Sequence, residues 1–285
     1  MHPVLFDFFG LFKLHTYGLL IAIGFLLGTQ LGVRESERVD TSPDHSLARH
    51  ITDLCFWILV VSMIGSRLLF IIVNWGDEYS KDPLKIFRIW EGGLVFYGGF
   101  IASVAYSAWF CWSRKINFLL VSDTLIPSVS LGHFFGRLGC FAAGCCWGAP
   151  ADSSFPLAVQ FPLGSLVHSS MRAHGEIGFS DPYTIHLHPV QLYESFGELS
   201  IFFLLLFVRS RKRFHGQALL TYLFVYPILR TLLEFVRHDA ERGFVTLFGL
   251  QMSTGQVISL GVSLAAIVLL VSILMTRRAQ QPSAA

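Results

Sequence analysis

Seven long, continuously apolar stretches dominate this chain, and a set of helices apolar on every face is soluble in lipid rather than in water. They run over Tyr17–Val33, Ile51–Trp75, Gly92–Trp112, Phe118–Phe135, Val190–Val208, Ala218–Val236 and Gly255–Met275. A bilayer core asks for about 20 such residues per helix, so all can span, the first and fourth being short. The runs do not alternate as the ten-residue strands of a membrane barrel would, which selects helices. The chain is 53% hydrophobic and 14% charged, and its mean hydropathy is +0.57, outside the range of an ordinary soluble domain. A net charge of +2 supplies no concentrated basic field, which excludes nucleic acid as a partner. The expected fold is an all-α integral membrane protein of about seven helices, one polytopic domain over residues 1–285.

Loop charge sets the expected orientation. With the N-terminus outside, the cytoplasmic segments collect Arg34, Arg38, Arg49, Arg114, Lys115, Arg209, Arg211, Lys212, Arg213, Arg277 and Arg278, the denser share. Lys81, Lys85 and Arg88 fall on the other side and oppose this N-out, C-in arrangement. The first fourteen residues carry no basic n-region or small-residue cleavage site, so the first apolar stretch is expected to be retained as a helix. Residues 136–189, punctuated by Pro150, Pro156, Pro162, Pro182 and Pro189, are expected to form a small outer head. Residues 279–285 read as a disordered tail. There is no solenoid-like repeat and no doubled transporter half.

Ionisable residues inside such segments are expensive, at roughly 2.5–3.5 kcal/mol at a helix centre, and need partners. Arg67, Arg137 and Arg230 are three of them. Each alone is satisfied by snorkelling to headgroups or by an ion pair, and Glu234, one turn after Arg230, is placed to neutralise it. Three together point to a lipid phosphate or another anion, because a guanidinium is a planar fork suited to phosphate oxygens. Gly98 and Gly99, with Gly92 and Gly93, allow close helix approach, which is a packing role by itself. Tyr17 and Tyr97 are either interfacial anchors or hydroxyls in the same cavity. His188-Pro189-Val190-Gln191-Leu192-Tyr193-Glu194 opens an apolar helix, with Gln191 and Glu194 on one face. That cluster is either a cap and interfacial belt or a polar cavity lining.

Taken in order, these elements resemble the prolipoprotein diacylglyceryl transferase family nearly end to end. The resemblance rests on His15-Thr16-Tyr17-Gly18, Gly65-Ser66-Arg67-Leu68, Gly92-Gly93-Leu94-Val95-Phe96-Tyr97-Gly98-Gly99, Gly136-Arg137-Leu138-Gly139-Cys140-Phe141, the His188 to Glu194 segment, and Arg230 with Glu234-Phe235-Val236-Arg237. It implies seven helices, N-out and C-in, in a bacterial inner membrane, with the active site toward the periplasmic side. It implies transfer of diacylglyceryl from phosphatidylglycerol to the lipobox cysteine of a prelipoprotein signal peptide, releasing glycerol phosphate. Its partners are then those substrates and membrane lipids, and no cofactor is expected. Arg137 and Arg230 match the family's essential arginines, Tyr17 its first-helix tyrosine, Gly148 the glycine ending the signature, and Glu234 the acid after the second arginine. Arg67, Tyr97, Gly98, Gly99, Gly148, His188, Gln191, Tyr193, Glu194 and Arg237 are expected to bind substrate.

The chain also departs from the pattern. Phe96-Tyr97-Gly98-Gly99 stands where many members carry Phe-His-Gly-Gly, so no histidine base stands there. Cys140, Cys145 and Cys146 replace the usual Asn and Glu region of the signature. On an oxidising face, Cys140 is expected to pair with Cys145 or Cys146, the alternatives being free packing thiols or a working thiol. A metal site is not expected, because thiolate pairs usually come as Cys-x-x-Cys and adjacent cysteines seldom chelate one ion. Cys55 and Cys111 read as small buried hydrophobes. The expected mechanism places Arg137 and Arg230 on the phosphate, with Glu234 orienting Arg230 and the positive charge activating the substrate thiol. Two other classes compete: a membrane thiol-disulfide oxidoreductase using the cysteines, and a non-catalytic lipid-binding paralogue.

Overall fold

A computed structural model describes residues 4–8, 12–41, 44–88, 92–237, 243–247 and 250–280. A helix covers most of each of the seven expected stretches, although Gly92–Val95 precede the third and Phe235 and Val236 follow the end of the sixth. The helices are α1 (Thr16–Val39), α2 (Leu47–Val73), α3 (Phe96–Arg114), α4 (Phe118–Ala143), a short α5 (Leu166–Ala173), α6 (Val190–Ser210), α7 (Gln217–Glu234) and α8 (Thr254–Gln280). Five of them, α1, α2, α4, α6 and α8 as far as Met275, are long and apolar enough to cross a membrane. Tyr and Trp dilute α3, whereas Arg230, Glu234 and Pro227 interrupt α7. Lipid is the natural neighbour of what these helices expose: Phe56, Met63, Ile64, Leu68 and Ile72 on α2, and Leu264, Val268 and Met275 on α8.

Two short antiparallel hairpins accompany the helices. β1 (Val4–Phe8) pairs with β2 (Phe12–His15), and β3 (Phe244–Leu247) with β4 (Leu250–Ser253). α8 continues to Gln280, two residues into the expected tail, and residues 281–285 lie outside the described residues. α4 continues eight residues beyond the expected Phe135, so Arg137 and Cys140 are helical and the head begins at Gly144. α4 ends in a Schellman motif. Gly144 takes φ +68, its N–H reaches Phe141 O at 3.3 Å, and the Cys145 N–H reaches Cys140 O at 3.1 Å.

The chain divides into two compact units. In the unit of residues 29–124, α2 and α3 meet through small residues. A Cβ on Gly65 would lie 2.5 Å from Ala102 Cβ, and one on Gly98 would lie 2.6 Å from Leu69 Cβ and against the Gly65 carbonyl. Only glycine permits that approach. In the same unit Arg67 gathers the segment after α2. Its guanidinium donates to the carbonyls of Gly92, Gly93 (3.3 Å), Lys85 (3.0 Å) and Arg88 (3.2 Å), and it packs over Phe70 and Tyr79.

The other unit joins residues 1–28 to 125–285. Ile126 of α4, Ile201 and Leu205 of α6, and Ala218 and Tyr222 of α7 form its helical core. The head has a core of its own, Phe161, Val167, Met171 and Leu187, closed by Phe141 and Trp147. α5 begins where the Ser165 hydroxyl accepts the His168 N–H. Single bridges pair Pro150 and Val159 with Leu187, and Gly148 with Arg237.

Candidate active site

The site grows from the facing sides of α4 and α6. On α6, Gln191, Glu194, Ser195 and Glu198 recur at helical spacing, and all four are buried, at 0–1% exposed. Ser130, His133 and Arg137 recur along one side of α4. A charge buried among apolar helices persists only when paired, and here the pairing is continuous. Arg137 Nη2 lies 3.0 Å from Glu194 Oε1, and Arg137 Nε donates to His133 Nε2 at 3.3 Å. His133 Nδ1 lies 2.8 Å from Glu198 Oε1, and Ser130 Oγ donates to Glu198 Oε2 at 2.7 Å. Tyr222 OH of α7 completes the Glu198 shell at 3.4 Å. A histidine bearing its proton on Nδ1 satisfies both of its neighbours.

α7 supplies the second arginine. Arg230 Nη1 and Glu234 Oε2 are 2.6 Å apart across one helical turn, the neutralisation expected from their spacing. Gly255 of α8 leaves the room this pair occupies, since a Cβ there would lie 2.8 Å from Arg230 Nη2. Tyr226, stacked on Tyr222 with its ring 5.4 Å from His133, stands within electrostatic reach of both Arg137 and Arg230. It joins the two arginine clusters.

The head closes onto the same region. Gly148 N–H donates to His188 O at 3.1 Å, and Ala149 N–H to Val236 O at 2.8 Å. A Cβ at Gly148 would lie 2.5 Å from His188 O and 2.8 Å from Val236 O, so glycine stands at 148 because three backbone segments converge there. Gln191 Nε2 donates to Cys145 O at 2.7 Å, which ties α6 to the first turn of the head. His188 Nδ1 and Tyr193 OH are 3.2 Å apart. Tyr17, at the start of α1, packs on Gly139, where a Cβ would meet its ring at 2.9 Å.

Cys140, Cys145 and Cys146 are free thiols, so neither expected disulfide closes this turn. Their sulfurs all lie within 4.8 Å of one another, and Cys145 Sγ also faces Cys140 O at 3.7 Å. Hydrogen bonds from the other two thiols, with Arg137 and Arg237 nearby, hold the Cys146 thiol well below the usual range. The same hydrogen bonding pushes Cys145 up.

The structure therefore brings together, in one unit, Tyr17, Arg137, the three cysteines, Gly148, His188, Gln191, Tyr193, Glu194, Arg230, Glu234 and Arg237. Arg67, Tyr97, Gly98 and Gly99 belong to the other unit. There Arg67 is engaged by backbone carbonyls, and Gly98 and Gly99 by the close approach of α2. His133, Glu198 and Ser130 were not expected. Their signal was present: a histidine four residues before Arg137 and a carboxylate four residues after Glu194, both inside apolar helices.

The model of the prolipoprotein diacylglyceryl transferase family matches residues 3–272. The phosphatidylglycerol–prolipoprotein diacylglyceryl transferase of Clostridium tetani is 33% identical over 260 residues, covering 91% of this chain and 93% of that protein. Those of Burkholderia ambifaria and Burkholderia thailandensis are 32% and 33% identical over 266 residues, each covering 90% of this chain and 89% of the relative. With a match of that extent, the chain belongs to the prolipoprotein diacylglyceryl transferase family.

Proposed function

We propose that this chain transfers the diacylglyceryl group of phosphatidylglycerol to the lipobox cysteine of prelipoproteins, the first covalent step of bacterial lipoprotein maturation. The observation that carries the reading is Arg137, the arginine of the family signature, fixed by buried Glu194 at 3.0 Å in a chain that matches the family over nearly its whole length.

In the proposed reaction the cysteine sulfur forms a bond to the glycerol carbon that bears the phosphate. The carbon–oxygen bond breaks, and its electron pair leaves with glycerol phosphate. The thiol proton is lost to the leaving phosphate or to water. Arg137 and Arg230 each present five N–H donors, and one carboxylate engages only part of such a fork. The remaining donors hold the phosphate oxygens and stabilise the charge that develops as the bond breaks. Glu194 and Glu234 aim the two guanidinium groups. His133, itself held by Glu198, meets Arg137 Nε beside Glu194, its Nε2 lying 3.5 Å from Glu194 Oε1. The same positive field favours the thiolate of the incoming cysteine, the form that attacks. Tyr17 and Tyr226 offer hydroxyls beside the reacting groups.

The chain works as a multi-pass protein of the bacterial inner membrane, with seven spans, the N-terminus outside and the C-terminus inside, and the head with its adjoining site on the periplasmic side. Support comes from the five spans that satisfy length and hydropathy, the helical α3 and α7, and the excess of Lys and Arg on one set of loops. Arg67, Tyr97, Gly98 and Gly99 contribute to substrate binding through the segment that Arg67 organises. Purified protein supplied with phosphatidylglycerol vesicles and a lipobox peptide tests the reading by mass spectrometry. The peptide should gain the mass of a diacylglyceryl group, with stoichiometric glycerol phosphate; glycerol phosphate without a modified peptide would contradict a transferase.

A further inference from the structure

We infer that Cys140, Cys145 and Cys146 form a binding site for one thiophilic metal ion of the Zn(II), Cd(II) or Cu(I) class, beside the arginine cluster.

The geometry follows from the end of α4. In the Schellman motif the residue two beyond the helix folds back on the residue three before its end. Here those two residues are Cys145 and Cys140, joined by the Cys145 N–H to Cys140 O bond at 3.1 Å. Adjacent cysteines ordinarily point apart, which is why the spacing argued against chelation. Cys146 escapes that rule because its backbone is left-handed, with φ +56. Non-glycine residues rarely adopt that conformation, and the turn carries the third sulfur back to the other two.

All three sulfurs lie within 4.8 Å of one another. Metal–sulfur bonds of about 2.3 Å place thiolates roughly 3.8–4.0 Å apart around one ion, so chelation needs little movement. A disulfide needs two of the sulfurs at about 2.05 Å and leaves the third without a role. Charge agrees with the geometry. Three thiolates around a divalent ion carry a net charge of −1, and Arg137 and Arg237 act electrostatically on this cluster. Sulfur selects soft ions over Mg(II) or Ca(II). The ion would join the end of α4 to the first turn of the head, whose Cys145 carbonyl Gln191 already holds at 2.7 Å. The three thiols leave a tetrahedral ion a fourth position, for water or the nearby Tyr17 hydroxyl.

The test is titration of the reduced, detergent-solubilised full-length protein with Cd(II), followed by sulfur-to-metal charge-transfer absorption. One equivalent per chain should bind. Binding should persist in the C55A/C111A variant, and affinity should fall by about tenfold or more in each of C140S, C145S and C146S. Variants whose helical circular dichroism matches the parent are compared, serine keeping the size of each replaced side chain. Absence of the absorption in the parent protein, or unchanged affinity in any one of the three single variants, would overturn the inference. A Cys–Cys bond that persists under the reductant and blocks Cd(II) uptake would overturn it as well.

Discussion

Glu194 Oε1 lies 3.0 Å from Arg137 Nη2 in the buried seam between α4 and α6, and this contact couples Arg137 to the interior of the protein. Glu194 is 1% exposed. Removing one partner of such a pair leaves an uncompensated buried charge, a loss of about 3–5 kcal/mol. Glu194→Ala should therefore lower the thermal unfolding temperature in detergent and abolish transfer. Glu194→Gln, which keeps volume and one acceptor, should insert and fold while losing most activity. Differential scanning fluorimetry beside the transfer assay separates the two effects.

Glu198 takes contacts from Ser130, His133 and Tyr222 without touching either arginine in the described contacts. Its role is to hold His133, which in turn receives the Arg137 Nε–H. Glu198→Ala should leave half-buried His133 and buried Tyr222 without this acceptor, at about 1–3 kcal/mol for a buried group, while Ser130 keeps the Glu198 carbonyl at 2.8 Å, and should destabilise the protein. His133→Asn should instead lower kcat with KM for phosphatidylglycerol nearly unchanged, because it loosens the aim of Arg137 without removing it. Steady-state kinetics at varied lipid mole fraction checks this; a change confined to KM would contradict a positioning role.

The long helices were legible because apolar runs of bilayer length have few other uses, and five of them satisfy length and hydropathy. Their ends were not. The apolar run ended at Val33, yet the first helix continues to Val39 because the last turns need only one sheltered side, where Glu35 and Ser36 are buried. The polar insertion was expected to begin at Gly136, yet α4 continues through Gly136, Gly139 and Cys140 to Ala143. A glycine weakens a helix by only about 1 kcal/mol, and Gly139 is required by the Tyr17 ring. The actual stop is Gly144, where the backbone turns left-handed. The hairpins were missed because strands of four or five residues carry too short an alternation to stand out from apolar surroundings. In the site, the arginines drew attention by their charge. His133 and Glu198 were passed over although buried carboxylates and imidazoles obey the same rule.

Gly148 sits where His188 and Val236 carbonyls leave no room for a Cβ. Gly148→Ala should force the head away from the start of α6 and the end of α7. The expected result is a fall in transfer of about tenfold or more with the spans intact, since a misplacement of about 1 Å can cost about 100-fold. Limited proteolysis of the 144–189 segment should accelerate in the same variant.

Arg67 makes its described hydrogen bonds to backbone carbonyls within its own unit. Arg67→Lys keeps the charge and loses the fork. It should destabilise residues 83–88 and 92–93, read as faster amide exchange there, with a smaller loss of transfer than Arg137→Lys. An equal or larger loss for Arg67→Lys would place Arg67 on the substrate.

The most direct test of the account follows labelled diacylglyceryl from phosphatidylglycerol to a lipobox peptide, comparing the parent protein with Arg137→Ala and Arg230→Ala. The account predicts transfer by the parent and a fall of about 100- to 1,000-fold or more in each variant, with both variants inserted and helical. Transfer at near-parental rate by either variant, or no transfer by folded parent protein, would contradict it.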